Sequence, residues 1–508
     1  MDSTERLLDQ DYAMFDLLET TADATSPWTT NYGLSRGHDD IIPTFQTTAL
    51  SDTTPSGTSG GAPSPNFAWK PDEFVLNQGY QTYREELRGL IFNAAQSAAP
   101  TREGSPVPGH EAFAQVQPGL GSGDHQTRRT TAKILASPDR VRYLRNYVSQ
   151  VAPWLDMFDS DHAFGLQLPA LARSSPALLY AILGISARQV ERKEGRKNSF
   201  DSLELYQEAI RLLAPLLLNR DLISIPICVI LCCLEMMSAS AQDWRRHLEG
   251  CAALFTNFGI HGFSGGLLQP VFWCYARMDV CGALISDGTQ STLIPPNLWT
   301  NTDTNTHEAR QLFLDSQSPD MHANYAVWLC SRVCELVSER TGFRELGEHN
   351  GCAGQPFVDR WVSLWEELQS WLSTRPVEFY PIKEVDTKPF PQILFPHWAA
   401  ISSTQLQHTA CLLLLDIMPK PMRLDLGIAG SPVWHAKRIC GISLANAHQG
   451  CLNNAIQPIW LAGRLLSHKS EHDIIVKLIW SIETLTGWGT CWRIPDLESV
   501  WGYKVRRV

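Results

Sequence analysis

The sequence predicts an all-α protein, a large multi-helix domain preceded by a disordered N-terminal region. Three observations point to it. From about residue 131 to 508, one long segment after another carries apolar residues at helical spacing. No hairpin turn is flanked by alternating runs, and no β–α–β rhythm appears. Residues 1–130 are instead rich in Thr, Ser, Gly, Pro and Asp, mostly too polar to bury a core and order themselves.

In chain order, the first feature is "DQDYAMFDLLET" at 9–20, which interleaves acids with Tyr12, Met14, Phe15, Leu17 and Leu18. Such a mixture stays solvated by its charge and can present an apolar helix face to a groove. Two readings stay open: an activation motif, or an N-terminal helix that docks on its own domain. "TTALSDTTPSGTSGGAPSPN" follows as a low-complexity linker. A short helix is expected over 83–97, with Leu87, Leu90 and Ile91 on one face to dock on the main body. A second polar stretch runs from Ala99 to about Arg129.

The helical part opens at Ser137 as N-cap with Pro138 at the first helical position, and its stripe reads Val141, Leu144, Val148, Val151. "SSPALLYAILGISARQVERKEG" repeats the device: Ser-Pro, an apolar run, a basic last turn, then Gly195. Further helices are expected over "SFDSLELYQEAIRLLAPLLLN" and "ISIPICVILCCLEMMSASA". Later ones fall near 323–341, 355–373, 397–418, 433–466 and 470–486.

Composition narrows the function classes. The chain has 508 residues, 44% of them hydrophobic, enough for a sizeable core. A net charge of −11 argues against a bulk nucleic-acid binder. The opening "MDSTERLLDQDY" lacks the basic–apolar pattern of a secretory signal. The apolar run Leu222–Leu234 is too short to span a bilayer. A soluble intracellular protein with no membrane partner is expected. All 13 cysteines fall after residue 227, mostly inside apolar helical patterns, where a free thiol behaves as a small hydrophobe.

One cysteine group raises a metal question. Cys228 and Cys232 are spaced i, i+4, as are His247 and Cys251, so four ligands exist on paper. None uses the short C-x₂-C turn common in structural zinc sites. Trp244, Leu248, Cys251, Ala252 and Phe255 form one stripe suited to a core helix, so packing is the expected role. No metal or other cofactor is expected. "GTSGG" at 57–61 lies in a linker, and "DMFDSD" at 156–161 has no second acidic motif to share Mg²⁺. No H-E-x-x-H, phosphate loop or dinucleotide fingerprint appears, so no enzyme is expected. Trp244, Trp273, Trp361, Trp365, Trp371 and Trp480 are assigned to the core. "RQVERKEGRK" at 188–197 and "KVRR" at 504–507 are solvated ends that can also serve nuclear import.

Several segments, in order, resemble the fungal-specific transcription factor domain. They are "EELRGLIFNAAQSAAPTREGSP" (85–106), "LPALARSSPALLYAILGISARQ" (168–189), "LELYQEAIRLLAPLL" (203–217), "DWRRHLEGCAALF" (243–255), "GGLLQPVFWCYARMDVCGALI" (265–285) and "IIVKLIWSIETLTGWGTCWRIPDLESVWG" (474–502). The resemblance implies a helical regulatory domain of a nuclear gene regulator that controls a metabolic gene set, with secondary metabolism expected. It marks Trp244, His247, Leu248, Trp273, Arg277, Gly487, Trp488, Trp492 and Trp501 as the family-motif core. It implies as partners the transcriptional machinery or a DNA-binding protein, and a homodimer. Such regulators usually begin with a six-cysteine zinc cluster. This chain has no cysteine before Cys228, which puts direct DNA binding in question. An upstream exon, a regulator acting through a partner, and a repurposed helical domain all remain open. The alternatives are a metabolite-binding helical module without transcriptional output and, with least support, an all-α enzyme.

Overall fold

The computed structural model describes residues 73–98, 129–197, 200–238, 241–286, 289–300, 306–420 and 426–505, without the side chains of residues 98, 238, 241–244 and 247. The motif at 9–20, the polar stretches and the side chains of Trp244 and His247 lie outside the described residues. What is described is helical almost throughout.

The described chain enters with α1 (Glu73–Leu76) and α2 (Gln78–Ala98). The second starts earlier than apolar spacing alone implied. The Asn77 side chain accepts from the amides of Gly79 (2.8 Å) and Tyr80 (3.3 Å), an Asn cap ahead of the first apolar turn. Phe74 is fully buried, meeting Tyr80 in a tilted pair at 4.5 Å and Phe200 edge-on at 5.4 Å. The Arg188 guanidinium lies 4.1 Å above the Phe74 ring. This aromatic–cation contact pins α1 to the body.

Next come α3 (Pro138–Asn146), a π-helical turn (Tyr147–Val151) and α4 (Ala152–Leu155). The π turn corrects the expected stripe. A wider turn advances the buried face by about four residues, so Tyr143, Tyr147 and Val151 face inward and Val148 is exposed. A second π turn (Ala163–Gln167) leads into α5 (Leu168–Leu171).

Helix α6 (Pro176–Glu194) is the centre of the N-terminal half. The Ser175 hydroxyl accepts from the Leu178 amide, Pro176 opens the helix, and Gly195 at φ 65° closes it. The Arg196 amide then reaches back to the Glu191 carbonyl at 2.9 Å. From Ala177 to Glu191 only Tyr180 is less than buried. Around α6 pack α3, α7 (Asp201–Leu218) and α8 (Ser224–Ser238). Next to α8 come α9 (Ala241–Asn257) and α10 (Leu268–Ile285), and α2 lies across α7 and α9. At the α2–α9 contact, a Cβ on Gly250 would lie 3.0 Å from Ile91 Cγ2, so the missing side chain is what lets the helices meet.

The second half begins with α11 (Thr306–Ser316) and α12 (Pro319–Thr341), followed by α13 (Gly354–Ser373). A small hairpin, β1 (Lys383–Val385) with β2 (Gln392–Leu394), precedes α14 (Trp398–Asp416). Each strand has three residues, too short for an alternating pattern to show in sequence. The Asn446 side chain holds β2 by donating to the Ile393 carbonyl and accepting from the Phe395 amide. Helix α14, like α6, is buried on nearly every side, against α12, α13 and α15 (Pro432–Ala445). Some of its polar residues are bonded across to a neighbour: Gln405 Nε2 donates to the Ile439 carbonyl and Ser443 Oγ. The chain ends with α16 (Gln449–Asn454), α17 (Ile456–Gly463), α18 (Lys469–Thr486) and α19 (Arg493–Trp501). The halves meet where α10 packs on α12, α16 on α4 and α18 on α6.

Of the tryptophans assigned to the core, Trp273, Trp361, Trp365 and Trp371 are buried. Trp361 donates its indole N–H to the Leu414 carbonyl and Trp371 to the His322 carbonyl, as a buried indole requires. Trp480 is a correction: it is 44% exposed on the outer face of α18. Its apolar neighbours in sequence face the opposite way.

The α2–α9 contact yields a prediction. Gly250→Leu drives a side chain into Ile91, and overpacking of this kind costs about 1–3 kcal/mol. Amides of α2 are expected to lose hydrogen-exchange protection while those of α6 keep theirs, as read by exchange mass spectrometry.

Candidate functional site

The four ligands imagined for a metal resolve differently. Cys228, Cys232 and Cys251 do face one another, around a cavity of about 20 Å³ between α2, α8 and α9. Burial holds the Cys228 thiol, and the Cys251 thiol together with burial the Cys232 thiol, well above the usual range, so both stay protonated. Among the described residues no group of three His, Cys, Asp or Glu is placed to hold a metal ion. Eleven of the 13 cysteines are buried and all are free thiols.

The residues marked as the family-motif core fall into four places. Trp273 donates its indole N–H to the Gly262 carbonyl at 2.8 Å within an aromatic cluster with Phe272, Trp299 and Phe313. Leu248 packs on the other side of α10, where a Cβ on Gly282 would meet its Cδ1 at 3.2 Å. Trp501 stacks on His472 at 3.8 Å and donates to the Gly463 carbonyl. The fourth place joins Arg277, Gly487, Trp488 and Trp492, far apart in sequence, at the junction of the two halves.

That junction is built on the turn after α18. Gly487 takes φ 74° and its amide returns to the Glu483 carbonyl at 2.9 Å. Glu483 Oε2 then accepts from the amides of Thr490 (2.9 Å) and Cys491 (2.8 Å), and Oε1 takes Arg192 Nη2 at 3.3 Å. Arg192 Nε also donates to the Gly487 carbonyl, and Gln189 Nε2 to that of Thr486. The Gly489 amide donates to the Met237 carbonyl, and Trp492 Nε1 to that of Gly489. The turn is thus tied to both α6 and α8. It sets Trp488 edge-on against Trp154 at 5.9 Å.

Beside this pair lies a cavity of about 40 Å³, lined by Trp154, Trp488, Met236, Met278, Asn453 and Arg277 among others. Arg277 is 5% exposed. Its Nη2 donates to the carbonyls of Leu155 (2.7 Å) and Trp154 (3.3 Å), left free where α4 ends, and its guanidinium lies 5.1 Å above the Phe158 ring. Asp156 is close by, but its oxygens turn away to the amides of Phe164 (2.7 Å) and Gly165 (2.8 Å). Desolvation pushes the Asp156 carboxyl up to about 7, against the pull of those two amides. Sequence reasoning missed Trp154 and Glu483, and read Asp156 and Arg192 only as parts of the acidic run 156–161 and the solvated end 188–197, whereas Asp156, Arg188 and Glu191 are buried. Only Glu483, a carboxylate four residues before the Gly487 stop, left a local signal.

The family can now be named: the model of the fungal specific transcription factor domain matches residues 142–501, and the chain belongs to that family. It is 24% identical over 341 residues to the transcription activator AMTR1 of Alternaria alternata. The match covers 54% of this chain but 43% of that activator, so this chain spans less than half of its relative's length. No solved structure matches it. Among the described residues no helix is long and apolar enough to cross a membrane.

Two predictions follow from this geometry. Glu483→Ala leaves two inward-facing amides without an acceptor and costs about 2–3 kcal/mol, read as a lower urea midpoint. For Asp156, the folded-state value of about 7 lies above the ordinary 3.8. The folded protein therefore keeps a proton that the unfolded chain releases, and this carboxyl's contribution to stability falls as pH rises through that window. Against Asp156→Asn, wild-type stability is expected to drop by an amount on the order of 4 kcal/mol from the acid to the neutral end, measured by urea unfolding.

Proposed function

We propose that this chain is a nuclear transcription regulator that acts through protein contacts and governs a metabolic gene set, with secondary metabolism the expected field. The observation that carries the reading is the family match over most of the chain, joined to a curated relative named as a transcription activator. The motif with Tyr12, Met14, Phe15, Leu17 and Leu18 is the segment assigned to recruitment, since its acids keep it solvated and its apolar residues supply a face for a groove. The 13 cysteines all lie within the helical part and none forms a cluster that reads DNA, so target choice falls to a DNA-binding partner or to a zinc-cluster segment not contained in this sequence. On this reading residues 1–130 recruit, residues 131–508 regulate and dimerise, and the chain carries no catalytic activity.

The test is a reporter assay with the full chain fused to a heterologous DNA-binding domain. Reporter output well above the DNA-binding domain alone is expected, with a several-fold loss for the pair Phe15→Ala and Leu18→Ala at equal protein level. Output equal to the unfused domain defeats the activator reading. Output that survives the double substitution moves recruitment into the helical body.

A further inference from the structure

The geometry points to a ligand site in the junction cavity, where Arg277 holds the carboxylate of a small organic acid and the apolar walls hold its short aliphatic body. A guanidinium this deeply buried remains protonated, and a buried cation is costly unless paired. Among the described residues no carboxylate lies within ion-pair distance of Arg277, and its protein hydrogen bonds all come from Nη2. Among the described residues the rest of the fork has no protein acceptor. Asp156 and Asp159 do not fill the role, because their carboxylates are spent on the amides of Phe164, Gly165 and Ala163.

The walls supply no anion either. Cys274 and Cys281 line the cavity, and burial pushes each thiol up to about 12, so both are neutral. Two other wall residues each hold a buried polar atom with no partner: the Trp154 indole N–H and Asn453 Oδ1. A donor, an acceptor and a half-used guanidinium therefore surround one space whose remaining surface is Met236, Met278, Leu155, three neutral thiols, Asn454 and indole rings. A planar carboxylate matches the guanidinium fork with two parallel hydrogen bonds. About 40 Å³ is room for roughly three waters, the size of a carboxylate head, so the short chain leaves along the apolar wall toward the cavity's open side.

The placement gives such binding a consequence. Arg277 and Met236 belong to the N-terminal half, Asn453 and Trp488 to the C-terminal half, so a ligand in this space contacts both. It would fix how the halves meet, next to the turn that ties α18 to α6. This goes beyond the transcriptional reading and does not depend on it, since the test reads binding alone and a silent reporter leaves its result unchanged.

The test uses the purified full chain, with sodium butyrate as the probe and butyramide, sodium phosphate and sodium chloride at matched ionic strength as controls. Calorimetric titration and thermal melting are both read. Butyrate is expected to give saturable heat and a raised Tm, while the controls give neither. Arg277→Gln is expected to weaken butyrate on the order of tenfold to a hundredfold, the range for a charge-assisted pair. Because that variant also disturbs the end of α4, Met278→Trp serves as the second arm. It fills the cavity and leaves Arg277 and its carbonyl partners in place, and it is expected to abolish the butyrate response. The proposal is overturned if butyrate gives no saturable signal, if butyramide or phosphate matches it, or if Met278→Trp binds butyrate as the wild type does.

Discussion

A helix buried on every side has no solvent face to set its rotation, and apolar contact alone leaves its register loose. Helix α6 meets this constraint with polar side chains, and the rest of the structure depends on how they are bonded. Arg188 and Glu191 hold one end: Glu191 accepts from the amide and hydroxyl of Ser202, and Arg188 faces Phe74. Gln189 and Arg192 hold the other side by reaching the turn at 486–487. One buried helix therefore fixes the N-terminal arm, the start of α7 and the C-terminal turn, elements separated by up to about 300 residues in the chain. Each bond is worth only about 1 kcal/mol net, but an unmade one would leave a desolvated polar group, and that penalty enforces the register.

The same logic recurs around α14, where Gln405 bonds to α15 and Asn446, at the end of α15, bonds to β2. It is inverted at Arg277. There the protein buries a cation and leaves part of its hydrogen-bonding capacity facing a cavity rather than a partner. Glu191 and Gln405 are bonded to neighbouring elements, whereas Arg277 spends only Nη2 on the protein and borders a cavity.

Much of the fold was legible in the sequence because helices announce themselves locally. Ser175-Pro176 and Gly195 bracket α6 as capping chemistry requires, and Leu248, Cys251 and Phe255 keep one apolar face. Misreadings arose where a local rule met a non-local condition. Val148 fits a 3.6-residue stripe, but a π turn displaces it to the surface. Trp480 is as apolar as Trp361, yet only its position on α18 decides which one meets a neighbouring helix. The site was less legible than the fold. Arg277 and Trp488 stood out within their own motifs, but nothing in a linear pattern placed them beside the same cavity, or added Trp154 and Asn453 to its wall.

By itself the sequence determined the helical class, the polar character of the N-terminal region, the apolar setting of the cysteines and the order of motifs that defines the family. These are properties of composition, spacing and capping, which act over a few residues. The tertiary structure alone decided which buried charges find partners and which do not. Pairing depends on distances between segments hundreds of residues apart, and burial turns a missing partner from a trivial matter in water into a large penalty. That is why Glu483 became the anchor of a turn and Arg277 the polar face of a cavity.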